Sequence, residues 1–130
     1  MGNKSKLRFL LTSSARRDIA AILKWSLREF GTAASLRYRA LIRQALADLE
    51  ADPARPGSLE RPELMVEGAR TWYISQSRAR TPGGRVKEPR HFILYRRRQD
   101  GVVEVGRILH ENVDLSRYLP SGYRRGDSAN

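Results

Sequence analysis

The chain has 130 residues, with 25 Lys+Arg against 14 Asp+Glu and a formal net charge of +11. That length is one domain, long enough to bury a core without covalent staples; with no cysteine it has no disulfide frame, thiolate nucleophile or zinc–thiolate site. An apolar content of 40% beside 30% charged residues excludes wholesale disorder, and no apolar run reaches the ~20 residues of a spanning helix.

Residues 1–6 are polar and Leu7 to Leu11 is too brief for a secretory apolar region, so the expected location is the cytoplasm, with no membrane contact. Leu7, Phe9 and Leu11 alternate with Arg8 and Leu10, a short strand. Thr12, Ser13 and Ser14 offer hydroxyls to cap a helix from Ala15 to about Phe30, with Ala15, Ile19, Ile22, Leu23, Ser26 and Phe30 on one stripe. Gly31 supplies a left-handed terminus and Thr32 the next cap; a second helix to about Ala51 carries Tyr38, Leu41, Ile42, Ala45 and Leu49 inward.

Asp52-Pro53 ends that helix, and Pro53 to Ala69 has no period. Arg70 to Gln76 and His91 to Arg97 read as strands by aromatic and β-branched content, joined by a long loop through Pro82-Gly83-Gly84. Asp100-Gly101 turns the chain into a last strand, Val102 to His110; Asn112 to Tyr118 reads as one or two helical turns stopped by Pro120. The order β-α-α-β-β-β predicts an α+β domain over residues 1–120, an antiparallel sheet with an N-terminal helical hairpin packed on one face. Residues 121–130 are expected to form a flexible tail.

In the strand from His91, Phe92 and Leu94 point one way and His91, Ile93 and Tyr95 the other. The helices cover one face only, so Ile93 and Tyr95 are expected on the second. Either a partner buries them, or the Pro53 to Ala69 connection and the C-terminal segment do.

Between Arg70 and Arg98 nine basic residues face one acid, Glu88, which places +8 of the +11 there. The basic hairpin residues Arg78, Arg80, Arg85, Lys87 and Arg90 suit phosphates and stacked bases, a carboxylate-rich protein, or plain solvation. Of the basic residues 21 are arginine and four lysine; the fork of arginine suits anionic groups, although genome composition accounts for the choice about as well.

No Walker loop, nucleophile elbow or dinucleotide fingerprint is present. His91 and His110 have no metal-ligand spacing, and His110 reads as a structural residue more readily than as a base. No cofactor, no metal and no confident catalytic residue is expected.

The segment Arg107 to Leu119, RILHENVDLSRYL, resembles the C-terminal signature of the ParE branch of the RelE/ParE toxins. Leu11-Thr12-Ser13 to Asp18-Ile19, Trp25, Phe30-Gly31, Gly68-Ala69-Arg70 and Ile93-Leu94-Tyr95-Arg96 are similar to other stretches of that family, in the same order, over about residues 7–120. The resemblance implies a toxin of a type II toxin–antitoxin pair, inhibiting DNA gyrase by binding and silenced by a ParD-like antitoxin in a hetero-oligomer. It places target contacts at Arg70, Arg96, Arg107, His110, Asp114 and Tyr118, and antitoxin contacts at Trp25, Ile93 and Tyr95. The alternative is a RelE-like, ribosome-dependent mRNA endonuclease using Tyr118. Thr71 to Ser75 has no lysine where such nucleases carry two, and Asn112 stands where their arginine would be. The hairpin Arg78 to Arg90 is longer than in many ParE members; nucleic acid is a possible contact for it.

Overall fold

The computed structural model describes residues 9–123. Its elements are β1 (Phe9–Leu11), α1 (Ser13–Phe30), α2 (Thr32–Ala51), β2 (Leu59–Glu60), β3 (Ala69–Tyr73), β4 (His91–Arg97) and β5 (Val103–His110), with 3-10 turns at Pro62–Leu64, Ile74–Arg80, Leu115–Tyr118 and Ser121–Tyr123. The sheet order is β1-β5-β4-β3-β2. The α+β class and the helical hairpin on the sheet stand as read from the sequence. Two details differ. β1 pairs parallel with β5, Phe9 opposite Val103, so the sheet is mixed: the chain passes through both helices and β2 to β4 before it returns beside β1 in the same direction. β2 adds a two-residue edge, Leu59 opposite Thr71, inside the connection that shows no period.

Thr12 starts α1 as expected: its hydroxyl accepts from Ala15 N–H at 3.0 Å and donates to the Gly106 carbonyl at 2.7 Å, fixing the helix start to β5. Gly31, at φ 93°, lets α2 begin at once, and it is Gly31 rather than Thr32 that occupies the cap position, with no side-chain bond. On α2 the expected stripe of Tyr38, Leu41, Ile42, Ala45 and Leu49 is buried throughout. On α1 the stripe holds at Ala15, Ile22 and Ser26 but not at Phe30, the last residue of the helix beside the Gly31 bend, which is 65% exposed.

The faces of β4 are the reverse of the expectation. Ile93 and Tyr95 lie fully buried against the helices with Trp72, Val105 and Ile108, whereas Leu94 faces a second, smaller cluster with Leu64, Val66, Ala69 and Tyr123. Opposite residues of an antiparallel pair share a face, and Trp72 opposite Ile93 supplies the largest side chain of the helix-covered layer. The second face is closed by the 3-10 turn at Pro62–Leu64 and by the C-terminal segment, the second of the two outcomes weighed for it. Tyr123 is 1% exposed and its hydroxyl donates to the Glu104 carbonyl; a methyl on Gly106 would stand 2.8 Å from its ring. The start of the expected tail is thus packed on β5, and residues 124–130 lie outside the described residues, as do Leu7 and Arg8 of the first expected strand.

The stretch expected to be a basic hairpin loop is built differently. β3 ends at Tyr73, and Ile74–Arg80 winds into a 3-10 helix packed on α2. Asp48, 5% exposed, is the anchor: it accepts from Ser77 Oγ at 2.6 Å, Gln44 Nε2 at 2.9 Å and Arg80 Nη2 at 2.7 Å. Burial alone would raise its pKa, but those bonds and the charge of Arg80 hold it below the ordinary carboxylate value. Trp72 Nε1 donates to Ser77 Oγ at 3.0 Å, which joins the core to the same hub.

Candidate functional site

Each arginine expected to meet a target is engaged within the protein. Arg107 Nε and Nη2 reach the two carboxylate oxygens of Asp18 at 2.7 and 2.9 Å, and Ile108 N–H donates to the same carboxylate at 2.9 Å. The fork-on-carboxylate geometry holds α1 against the open edge of β5 beyond its pairing with β1. Arg107 also donates to the Tyr118 carbonyl at 3.0 Å and its guanidinium sits 5.6 Å from the Tyr118 ring. The structure therefore brings Arg107 and Tyr118 together, with Tyr118 39% exposed. Asp114 takes a local role, accepting from Ser116 N–H at 3.2 Å.

Arg96 pairs with Glu104 at 2.9 Å and lies 4.4 Å from the Tyr123 ring, so it clamps the C-terminal segment to the sheet. Arg70 is opposite Tyr95, and hence on the helix-covered face; it donates to Ser58 Oγ at 3.1 Å and Glu60 at 3.3 Å. Arg70 is therefore not assembled with Arg107 and Tyr118.

The antitoxin contacts expected at Ile93 and Tyr95 are corrected by their burial: both are 0% exposed, and no partner reaches them in this fold. Trp25 differs. It is 38% exposed and meets Phe30 edge to face at 5.5 Å, and Leu36 beside the interhelical bend is 58% exposed. Phe30 and Leu36 were missed as surface residues because helical periodicity marks an apolar face but does not tell where the covering element stops.

Behind Trp25 lies an imidazole pair. The His91 ring is 6.3 Å from Trp25 and 5.6 Å from His110; Tyr38 Oη lies 2.7 Å from His91 Nδ1 and also accepts from Arg90 N–H at 3.1 Å. His110 Nδ1 accepts from Asn112 N–H at 3.2 Å. Burial, then the charge of His110, lowers the His91 pKa from 6.5 to about 4, against weaker opposing contributions from Glu111 and Asp18. Between those two values the unfolded chain binds a proton that the folded one does not, so stability rises with pH across this window and is lost on acidification. The expected loss from neutral pH to about pH 4 is on the order of 2 kcal/mol after allowance for partial solvent screening. Urea midpoints measured through this range should fall more steeply for the unaltered chain than for His91→Gln; parallel curves would refute the assignment.

The basic residues of the 78–90 stretch divide into two sets. Arg78 Nη1 donates to the Val86 and Lys87 carbonyls at 3.2 and 2.7 Å, Arg80 is held by Asp48, and Arg90 bridges Glu111 at 2.9 Å and Glu88 at 3.2 Å. Arg85 and Lys87 are exposed and have no ion pair among the described residues. On the helix-free side a cavity of about 370 Å³ is floored by Tyr73 and Phe92 and rimmed by Glu63, Glu111 and Asp114. Among the described residues no group of three or more His, Asp or Glu side chains is placed to hold a metal, and no helix is long and apolar enough to cross a membrane.

A helical hairpin on one sheet face, arginines locked into the frame and a half-exposed aromatic end on that hairpin define a small α+β protein. The family model described as the ParE toxin of the type II toxin–antitoxin system, parDE, matches residues 9–115. The chain belongs to the ParE toxin family and is the toxin of a toxin–antitoxin pair, with an antitoxin as its partner. No curated protein matches the chain.

Proposed function

We propose that the protein is a binding inhibitor of DNA gyrase, neutralised by a ParD-like antitoxin that covers the exposed end of the helical hairpin. The observation that carries this reading is the engagement of the sheet arginines. Arg70, Arg96 and Arg107 each face a carboxylate at 3.3 Å or less. A phosphodiester transition state needs cations free to meet developing charge, and these are committed to Glu60, Glu104 and Asp18. Recognition of a protein target needs only a rigid, shaped surface. For the antitoxin, Trp25, Phe30 and Leu36 supply the apolar anchors of an interface, and the exposed cations of α1, Arg17, Lys24 and Arg28, favour an acidic segment alongside them. The half-exposed Tyr118 beneath Arg107 supports the second reading, cleavage of ribosome-bound mRNA. Titrating purified gyrase with the toxin decides between them. Loss of supercoiling at sub-micromolar to micromolar toxin is expected; untouched supercoiling together with mRNA cleavage that Tyr118→Phe abolishes would overturn the gyrase reading.

A further inference from the structure

We infer that residues 81–90 and the adjoining face of α2 form a docking surface for the phosphate backbone of duplex nucleic acid, with Arg37, Arg85 and Lys87 as the contacting cations. The inference goes beyond gyrase inhibition and does not depend on it. Its first basis is the distribution of unpaired charge. The ion pairs described above neutralise Arg80 and Arg90, and Arg78 is turned inward onto two carbonyls, so the positive charge that this segment shows to solvent resides on Arg85 and Lys87. Arg37 joins them from α2: a methyl on Gly84 would stand 2.4 Å from Arg37 Cδ, so the aliphatic stem of Arg37 lies along the backbone next to Arg85. None of the three has an ion pair among the described residues.

The second basis is that the segment is held in place although it pairs with no strand. Val86 packs against the main core, Thr81 Oγ1 donates to the Ser77 carbonyl at 2.9 Å, and Arg78 and Arg80 tie the two ends of the loop to each other and to Asp48. With Val86 directed inward, its neighbours Arg85 and Lys87 are left exposed on the outside. Three cations are thus positioned without losing the entropy of a free loop on binding.

The third is the chemistry missing from the patch. Protein partners are recognised through an apolar centre, and single strands through exposed aromatic platforms. Among the described residues the exposed aromatics are Trp25, Phe30 and Tyr118, none in this segment, and residues 81–90 contribute no exposed large apolar side chain. Cations without stacking or apolar groups fit duplex phosphates, read without sequence preference.

The test is fluorescence anisotropy of a short labelled DNA duplex titrated with the full chain at several salt concentrations. Two triple variants are compared, Arg37→Gln with Arg85→Gln and Lys87→Gln, and Arg16→Gln with Arg39→Gln and Arg97→Gln, exposed cations in neither proposed surface, which removes the same net charge. The first triple should weaken binding at least ~10-fold on every duplex sequence and lower the slope of log K against log salt by about 2–3. The second should change affinity about 2-fold or less. Equal weakening by both triples, or an unchanged salt slope in the first, would overturn the proposal. Binding of a poly-glutamate peptide, lost in the first triple, with no duplex binding by the unaltered chain would overturn it in favour of an acidic protein. Thermal melts should be close for both variants, since no replaced side chain has an ion pair among the described residues and glutamine keeps the part of the Arg37 stem that lies on Gly84, and gyrase inhibition is measured separately, so failure here leaves that reading standing.

Discussion

Replacing Asp48 by alanine is expected to destabilise the protein by about 3–5 kcal/mol, a fall in melting temperature of roughly 10–20 °C for a chain of this size. The carboxylate is 5% exposed and gathers Ser77, Gln44 and Arg80, with Arg55 Nη1 3.8 Å away. Its removal leaves Ser77 buried with one acceptor fewer and a guanidinium without its counter-charge. The damage should also be local. Ile74–Arg80 has no strand partner, so trypsin should cut at Arg78, Arg80 and Arg85 much faster in the variant at temperatures where the rest remains folded. Arg43→Ala, at an exposed α2 position without an ion pair among the described residues, serves as the comparison and should shift stability by no more than about 0.5 kcal/mol. Equal cleavage rates for the two variants would contradict the anchoring role.

The second large effect is expected at Asp18. Asp18→Ala removes both bonds to the Arg107 fork and the acceptor for Ile108 N–H, at an expected cost of about 2–4 kcal/mol. Asp18→Asn, which retains an acceptor for Ile108 N–H, should recover part of it. A double-mutant cycle with Arg107→Ala should give a coupling energy of about 1–3 kcal/mol; additivity would mean that the pair is not formed. The cycle bears on function too. If Arg107 acts by holding α1 to β5, the loss of gyrase inhibition in Arg107→Ala should follow the loss of stability and be shared by Asp18→Ala. A direct target contact would leave Asp18→Ala active wherever it is folded.

The two helices, their common bend and the three long strands were legible because their signals are local: a stripe every three or four residues, a capping hydroxyl, a glycine at the turn. The faces of β4 were not legible. Phe92 and Leu94 on one side and Ile93 and Tyr95 on the other are equally apolar, and alternation separates two faces without saying which one the helices take. That depended on Trp72 opposite Ile93, a pairing between distant segments. The same limit governs the site. Asp18 and Arg107 are 89 residues apart and Asp48 and Arg80 are 32 apart, so charge counting along the chain assigned the arginines to an external partner when the fold uses several internally. The aromatic end at Trp25 was read in part, and Phe30 was lost to the stripe it continues.

Gly106 and Tyr123 carry a practical consequence for where this protein can be cut. The family match ends at residue 115, yet Tyr123 covers Leu94 in the second cluster and its ring crosses β5 at the only residue on that strand without a side chain. A version trimmed at residue 115 would uncover part of the sheet and lose Tyr118 and Leu119 from the C-terminal signature, so its lower solubility would report the lost cover rather than intrinsic toxicity. Fusion partners and affinity tags at the C-terminal side belong after Tyr123.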